Sequence, residues 1–119
     1  MTDTNLNILP KALLVSADTG EFDAERSIKE LEELARTAGA ETVGIIIQKR
    51  PAPDPATCIG SGRLAEAAEE GKALEADLMI FDCELTANQT RNIEKITDIE
   101  IIRHAVAAVI IPLISNAEH

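Results

Sequence analysis

Aromatic residues are almost missing from this 119-residue chain, which has no Trp, no Tyr and two Phe. Any core must therefore be assembled from Ile, Leu, Val and Ala. The 45% hydrophobic content is enough for that without metal or disulfide staples. Cysteine is scarce too. Cys58 and Cys83 stand at no metal-ligand spacing, which argues against a zinc framework and fits a reducing compartment, so a cytoplasmic location is expected. The start, MTDTNLNILPK, lacks the basic and apolar regions of a secretory leader. The longest apolar run, Ala105–Ile114, is about half the length that crosses a bilayer, and no membrane partner is expected. Positive charge is in short supply: 11 Lys and Arg against 21 Asp and Glu leave a net charge of −10, unsuited to general nucleic-acid binding. No Gly-x-x-x-x-Gly-Lys-Ser/Thr occurs, which excludes a Walker A phosphate loop.

What is present is periodic, and its length suits one domain with one core. Lys11–Ser16 is a short apolar run, read as a strand. From Asp23 the period changes. Ile28, Leu31, Leu34, Ala35 and Ala38 recur three and four apart among charges, which predicts an amphipathic helix capped by Asp23 and stopped at Gly39. Val43–Ile47 is β-branched and apolar on both faces, as in a buried parallel strand. Leu64, Ala67, Ala68, Gly71 and Leu74 mark a second helix, and Leu78–Phe81 a third strand. Thr86-Ala-Asn-Gln89 is a capping box opening a third helix through Ile93 and Ile96, followed by a strand at Ile99–Ile102. Alternation of this kind predicts a three-layer α/β fold. Its four parallel strands lie near residues 11–16, 43–48, 77–81 and 99–102, with helices on both faces. Residues 1–104 form the domain. The stretch 105–119, apolar but interrupted by Pro112, is read as a divergent tail packing on it.

In open α/β sheets, ligands collect beyond the carboxyl ends of the strands. That edge carries Asp18, then Gln48-Lys49-Arg50 and a proline-rich loop, then Asp82-Cys83-Glu84, then Arg103-His104. Strand ends turn polar wherever they meet water, so this concentration admits a bland reading beside the functional one. Gly60-x-Gly62-x-x-Ala65 has the form of a dinucleotide fingerprint. The fingerprint needs a tight turn straight off its strand, whereas about a dozen residues intervene here, and the glycines can equally serve only to turn the chain into a helix. Cys58 and His104 could in principle pair as nucleophile and base, but nothing in the spacing supports it, and Cys83 reads as a half-buried thiol. Asp82 and Glu84 could hold Mg²⁺ only with a phosphate partner. No catalytic residue, metal site or cofactor is assigned.

Three separated stretches then carry a resemblance: "FDAERSIKELEELARTAGAETVG", "QKRPAPDPATCIGSGRLAE" and "ADLMIFDCELTANQTRNIEK". Together they resemble the N-terminal domain of the HflX family of ribosome-associated GTPases, over about Leu13 to Ile102. The most specific parts are Gln48-Lys49-Arg50, Pro53-Asp54-Pro55-x-Thr57-x-Ile59-Gly60-x-Gly62, Phe81-Asp82-x-Glu84-Leu85 and Gln89-x-Arg91-Asn92. The resemblance implies an α/β domain that reaches into the large ribosomal subunit with its glycine-bearing loop toward RNA. Lys49, Arg50, Gly60, Ser61, Gly62 and Arg63 are then the contact candidates. Three departures stand out. The GTP-binding motifs that follow this domain in the family do not occur, Arg103-His104-Ala105 replaces an Asp-Arg-Thr-like continuation, and Cys58 stands where an aromatic residue is expected. GTP hydrolysis is therefore not implied for this stretch, though a GTPase on a separate chain is a conceivable partner.

The resemblance also changes the reading of the loop. Prolines at 51, 53 and 55 restrict the backbone before docking, glycines allow close approach and basic residues suit phosphate. The favoured expectation is a non-enzymatic module that binds ribosome or RNA. The alternatives are a small nucleotide-binding protein that uses Gly60–Gly62, or a truncated remnant without function.

Overall fold

The computed structural model describes residues 9–103. The chain runs β1 (Lys11–Asp18), α1 (Ala24–Ala38), β2 (Glu41–Lys49), α2 (Ser61–Ala73), β3 (Leu78–Phe81), α3 (Ala87–Thr97) and β4 (Glu100–Arg103). The strands form one four-stranded sheet in the order β2-β1-β3-β4, and every pairing is parallel. The three-layer α/β expectation is borne out. The proposed tail, 105–119, lies outside the described residues.

Strand alternation explains the layers, because successive side chains point to opposite faces. Ala12 and Leu14 of β1, Leu78 and Ile80 of β3 and Ile102 of β4 pack with Ile28, Leu31 and Ala35 of α1. Leu13, Val15, Met79, Phe81 and Ile101 point the other way, into Leu64 and Ala67 of α2 and Ile93 of α3. Each fully buried large side chain contributes about 1.5–3 kcal/mol of transfer free energy. Deprived of aromatics, the fold does this with many aliphatic contacts around Phe81, which is fully buried.

The helix ends follow local chemistry. Asp23 caps α1 by accepting the Arg26 N–H, and Gly39 terminates it in the left-handed region at φ 100°, where a side chain would be strained. At α3 the Thr86 hydroxyl accepts the Gln89 N–H while the Gln89 side chain accepts the Thr86 N–H, a reciprocal capping box.

One strand differs from expectation. The composition of β2 predicts burial on both faces, yet β2 is an edge strand and its Ile45 is 43% exposed. Composition registers how apolar a strand is, whereas position in the sheet is set by the order of crossovers. The centre falls instead to β1, whose residues Ala12 to Ala17 are all buried. Val43 is an extra residue against β1, since Ala12 pairs with Thr42 and Leu13 with Gly44.

Inside this central strand the Ser16 hydroxyl is fully buried and has no hydrogen-bond partner among the described residues. A buried unsatisfied polar group costs about 1–3 kcal/mol. Ser16→Ala is therefore expected to leave stability unchanged or raise it by about 1 kcal/mol, measured as a midpoint shift in thermal or urea unfolding. A clear loss of stability would show that the hydroxyl is satisfied in solution.

Candidate functional site

The long loop between Lys49 and Ser61 leaves the sheet at its edge and returns as α2. Its path is held by hydrogen bonds at almost every step. The Arg50 N–H donates to the Asp18 carbonyl at 2.9 Å, continuing the β1–β2 ladder past the strand. Asp54 and Cys58 then exchange both backbone bonds, at 2.8 and 2.9 Å, closing a tight turn. Within that turn Asp54 Oδ1 accepts the amides of Ala56 and Thr57 at 2.8 and 3.1 Å. The Thr57 hydroxyl donates to the Ile59 carbonyl at 2.7 Å. Gln48 Oε1 accepts the Gly60 N–H at 2.8 Å, fixing the far end of the loop to β2.

Helix α3 supplies the remaining anchors. Gln89 Nε2 donates to the Asp54 carbonyl and Asn92 Nδ2 to the Ala56 carbonyl, each at 3.1 Å. Thr57, Cys58 and Ile59 form the buried underside of the loop, while Pro51, Ala52, Pro53, Pro55 and Ala56 are exposed. A rigid, proline-bearing ridge results. Hydrogen bonds from the Ala56 amide and, more weakly, the Thr57 amide hold the Asp54 carboxyl below its ordinary pKa against an opposing effect of burial, with Arg50 assisting.

The six candidate contact residues occupy different environments. Lys49 is exposed at the end of β2 and makes no ion pair with a described residue. Arg50 is turned inward: its Nε donates to the Ala52 carbonyl at 3.1 Å and its guanidinium lies 3.5 Å from Gln48 Oε1 and 3.8 Å from Asp54. Gly60 is the N-cap of α2, and a side chain there would meet the Arg50 guanidinium at 3.0 Å. Ser61 is exposed in the first turn. Gly62 is exposed as well, and an added Cβ would find no described residue within 4 Å. Arg63 is partly buried and pairs with Glu66 at 3.2 Å. Lys49 and Arg50, with Asp18, Thr19, Gly20 and Pro51, line an open cleft of about 490 Å³ beyond the ends of β1 and β2.

The other strand-end groups scatter. Asp82 accepts the Ser27 hydroxyl at 2.6 Å, tying β3 to α1. Arg103 lies apart from the loop, beside Arg91, Thr90, Ala87 and Leu85 around a second depression of about 360 Å³. Among the described residues no group of three or more His, Cys, Asp or Glu could hold a metal ion. His104, the imagined base for Cys58, lies outside the described residues; the Cys58 sulfur instead meets that of Cys83 at 2.7 Å. The dinucleotide reading of Gly60–Gly62 also finds no support in this geometry. Its loop leaves the edge strand, whereas the change of winding direction falls between β1 and β3, and the space beside Gly60 is filled by Gln48 and Arg50.

Sequence reasoning missed the scaffold: Gln48, Asp54, Gln89 and Asn92. The signal for Asp54 was available, since an Asp between prolines favours side-chain-to-backbone turns. Gln89 caps α3 as its place in the Thr86–Gln89 box predicts, and its amide also reaches across to the loop. Only the packing of α3 beside the loop shows that.

Comparison with known proteins places these features in context. The profile of a family described as GTP-binding GTPase N-terminal matches residues 25–110. The chain is 38% identical over 104 residues to GTPase HflX of Alkalihalophilus pseudofirmus, which covers 86% of this chain and 25% of that protein. It is 39% identical over 93 residues to GTPase HflX of Lacrimispora saccharolytica, covering 77% of this chain and 22% of the relative. For GTPase HflX of Escherichia coli the identity is 36% over 75 residues, or 63% of this chain and 18% of the relative. The chain thus spans a quarter or less of the length of these relatives. Among the described residues no helix is long and apolar enough to cross a membrane.

Proposed function

Because the chain belongs to the GTP-binding GTPase N-terminal family, the GTPase-associated domain of HflX proteins, we propose that it is a cytoplasmic docking module that binds the large ribosomal subunit through RNA. The contact surface is the loop and helix start from Lys49 to Arg63. One observation carries this reading. The loop is held from beneath by Gln48, Asp54, Gln89 and Asn92, so its outer surface is ordered before any partner arrives. Preorganisation of this kind reduces the entropy lost on binding. Gly62 adds to it, because no described residue requires that position to be without a side chain. A glycine costs about 0.8–1 kcal/mol relative to alanine inside a helix, and close approach of a partner's backbone offsets such a cost.

The cationic contribution is modest. Lys49 is the freely available charge, Arg63 can exchange Glu66 for phosphate, and Arg50 acts chiefly by shaping the loop. A body of net charge −10 repels RNA elsewhere, so attachment concentrates at this rim. The test is co-sedimentation of the purified chain with large ribosomal subunits across a salt series. Pelleting is expected at about 50 mM salt, with affinity falling about ten- to hundredfold by about 200 mM, as suits two or three phosphate contacts. Absence of pelleting at low salt would remove the proposal, and saturable binding of a free nucleotide instead would revive the small-ligand reading.

The proposed activity is binding without turnover. The 119-residue polypeptide is expected to hydrolyse GTP no faster than buffer, because it carries no glycine-lysine loop to cradle the β- and γ-phosphates. Phosphate release that survives repurification and disappears on mutation of this polypeptide would contradict it.

A further inference from the structure

Cys58 and Cys83 are the only two cysteines in the chain, 25 positions apart in sequence, and the fold brings their sulfurs to 2.7 Å. The two sit on different structures. Cys58 belongs to the turn that Asp54 closes, and Cys83 follows β3 just before α3. Cys58 is fully buried and held at φ 68°, a left-handed conformation uncommon for a residue with a side chain. The hydrogen bonds of the Asp54 turn lock that conformation, which aims the Cys58 sulfur at Cys83. Cys83 is only partly buried, at the border of the core cluster that contains Cys58.

We propose that Cys58 and Cys83 are an oxidative modification site, forming a reversible intramolecular disulfide on exposure to a peroxide. A disulfide bond is about 2.05 Å long, so the sulfurs have well under ~1 Å to travel. The inference concerns the thiol pair and stands whether or not the loop docks on RNA. The electrostatics assist. A hydrogen bond from Cys83, opposed by burial and helped by nearby Arg50, lowers the pKa of Cys58, while that same bond and burial raise Cys83. The pair thus releases one proton more readily than it releases the second.

The chemistry closes without a further reagent. In the singly deprotonated pair the thiolate attacks a peroxide oxygen. The O–O bond breaks, hydroxide leaves and that cysteine becomes a sulfenic acid. Hydroxide takes the proton from the other thiol, and the resulting thiolate attacks the sulfenic sulfur. The S–S bond forms as the S–O bond breaks, and hydroxide departs to be protonated by solvent. Two thiols and one hydrogen peroxide yield one disulfide and two waters. The product ties the turn of the loop covalently to the end of β3, and a dithiol or phosphine reductant restores the pair.

The experiment uses the reduced, folded 119-residue chain, treated with stoichiometric hydrogen peroxide in the presence of a chelator. It is then denatured, alkylated and weighed intact. The expected product is a monomer lighter by two hydrogens, in which alkylatable thiols fall from two to none. Its tryptic digest should join residues 50–63 to residues 73–91, and phosphine should restore both thiols. In Cys58→Ser the oxidation is expected to stop at a dimedone-reactive sulfenic acid on Cys83. Two free thiols after oxidation, peroxide products that never resolve, or disulfides only between chains would each overturn the proposal. The wild-type mass decides the matter even if the buried serine variant fails to fold.

Discussion

Replacing Lys49 and Arg63 together with alanine is expected to weaken association with large ribosomal subunits by about tenfold or more at low salt. The logarithmic salt slope is expected to fall by about two units or fewer, one for each phosphate no longer neutralised. Stability should barely change, because Lys49 has no ion-pair partner among the described residues and the Arg63–Glu66 pair is a surface i,i+3 pair with Glu66 exposed, worth about a few tenths of a kcal/mol. Arg50→Ala belongs in a separate measurement. Its guanidinium bonds the Ala52 carbonyl and lies beside Gln48 and Asp54, so removing it loosens the loop as well as subtracting a charge. Gly62→Val supplies the charge-neutral counterpart. With no described residue within 4 Å of the added Cβ, the variant should fold normally, and any loss of binding reports obstruction of a partner. Equal affinity and slope for the double variant and the parent, over the same salt series, would rule out this rim as the attachment point.

The loop itself is expected to come apart when Asp54 is replaced by alanine. That carboxylate accepts the Ala56 and Thr57 amides and stands near Arg50, and hydrogen bonds to a charged group contribute about 1.5–3 kcal/mol. Protection of the amides of Thr57 and Cys58 against hydrogen exchange should therefore fall by about ten- to hundredfold in Asp54→Ala. The amides of β1, at the centre of the sheet, should keep theirs. The pH dependence follows from the direction of the Asp54 shift. Its folded pKa lies below the unfolded value of about 3.9. The stabilisation is thus complete above the unfolded pKa and is lost as pH falls through the folded one. Following the Ala56 and Thr57 amide resonances during acidification should show the loop loosening below the usual carboxylate range. Asp54→Asn, which keeps an acceptor but cannot ionise, should abolish that transition. An unchanged titration in the Asn variant would mean another acid controls the loop.

The thiol pair and the Asp54 turn share a location, and this links two separately testable properties. Cys58 is placed for Cys83 by the same backbone bonds that shape the exposed ridge. A variant that frees the turn should therefore also slow disulfide formation, whereas loss of the thiols need not loosen the ridge, because none of its hydrogen bonds uses a cysteine side chain other than the sulfur contact itself.

The local elements were determined by the sequence alone. Asp23, Gly39 and the Thr86–Gln89 box mark helix ends by chemistry confined to a few neighbouring residues, and the structure reproduces each one. The alternation of helical and strand periods likewise implied parallel strands with helices on both faces, because connections of helix length return the chain to the same end of the sheet. The three motif stretches disclosed the family through residue identities alone. What only the tertiary structure decided is which strand lies at the edge, which cation is free and what holds the loop. These depend on contacts between residues far apart in sequence, such as Gln89 with Asp54 and Cys58 with Cys83, which no local period encodes. Arg50 shows the difference within a single residue. Its charge and its place beside Lys49 are legible in the chain, but its inward turn follows from Ala52, Asp54 and Gln48 meeting around it once the loop has folded back on β2.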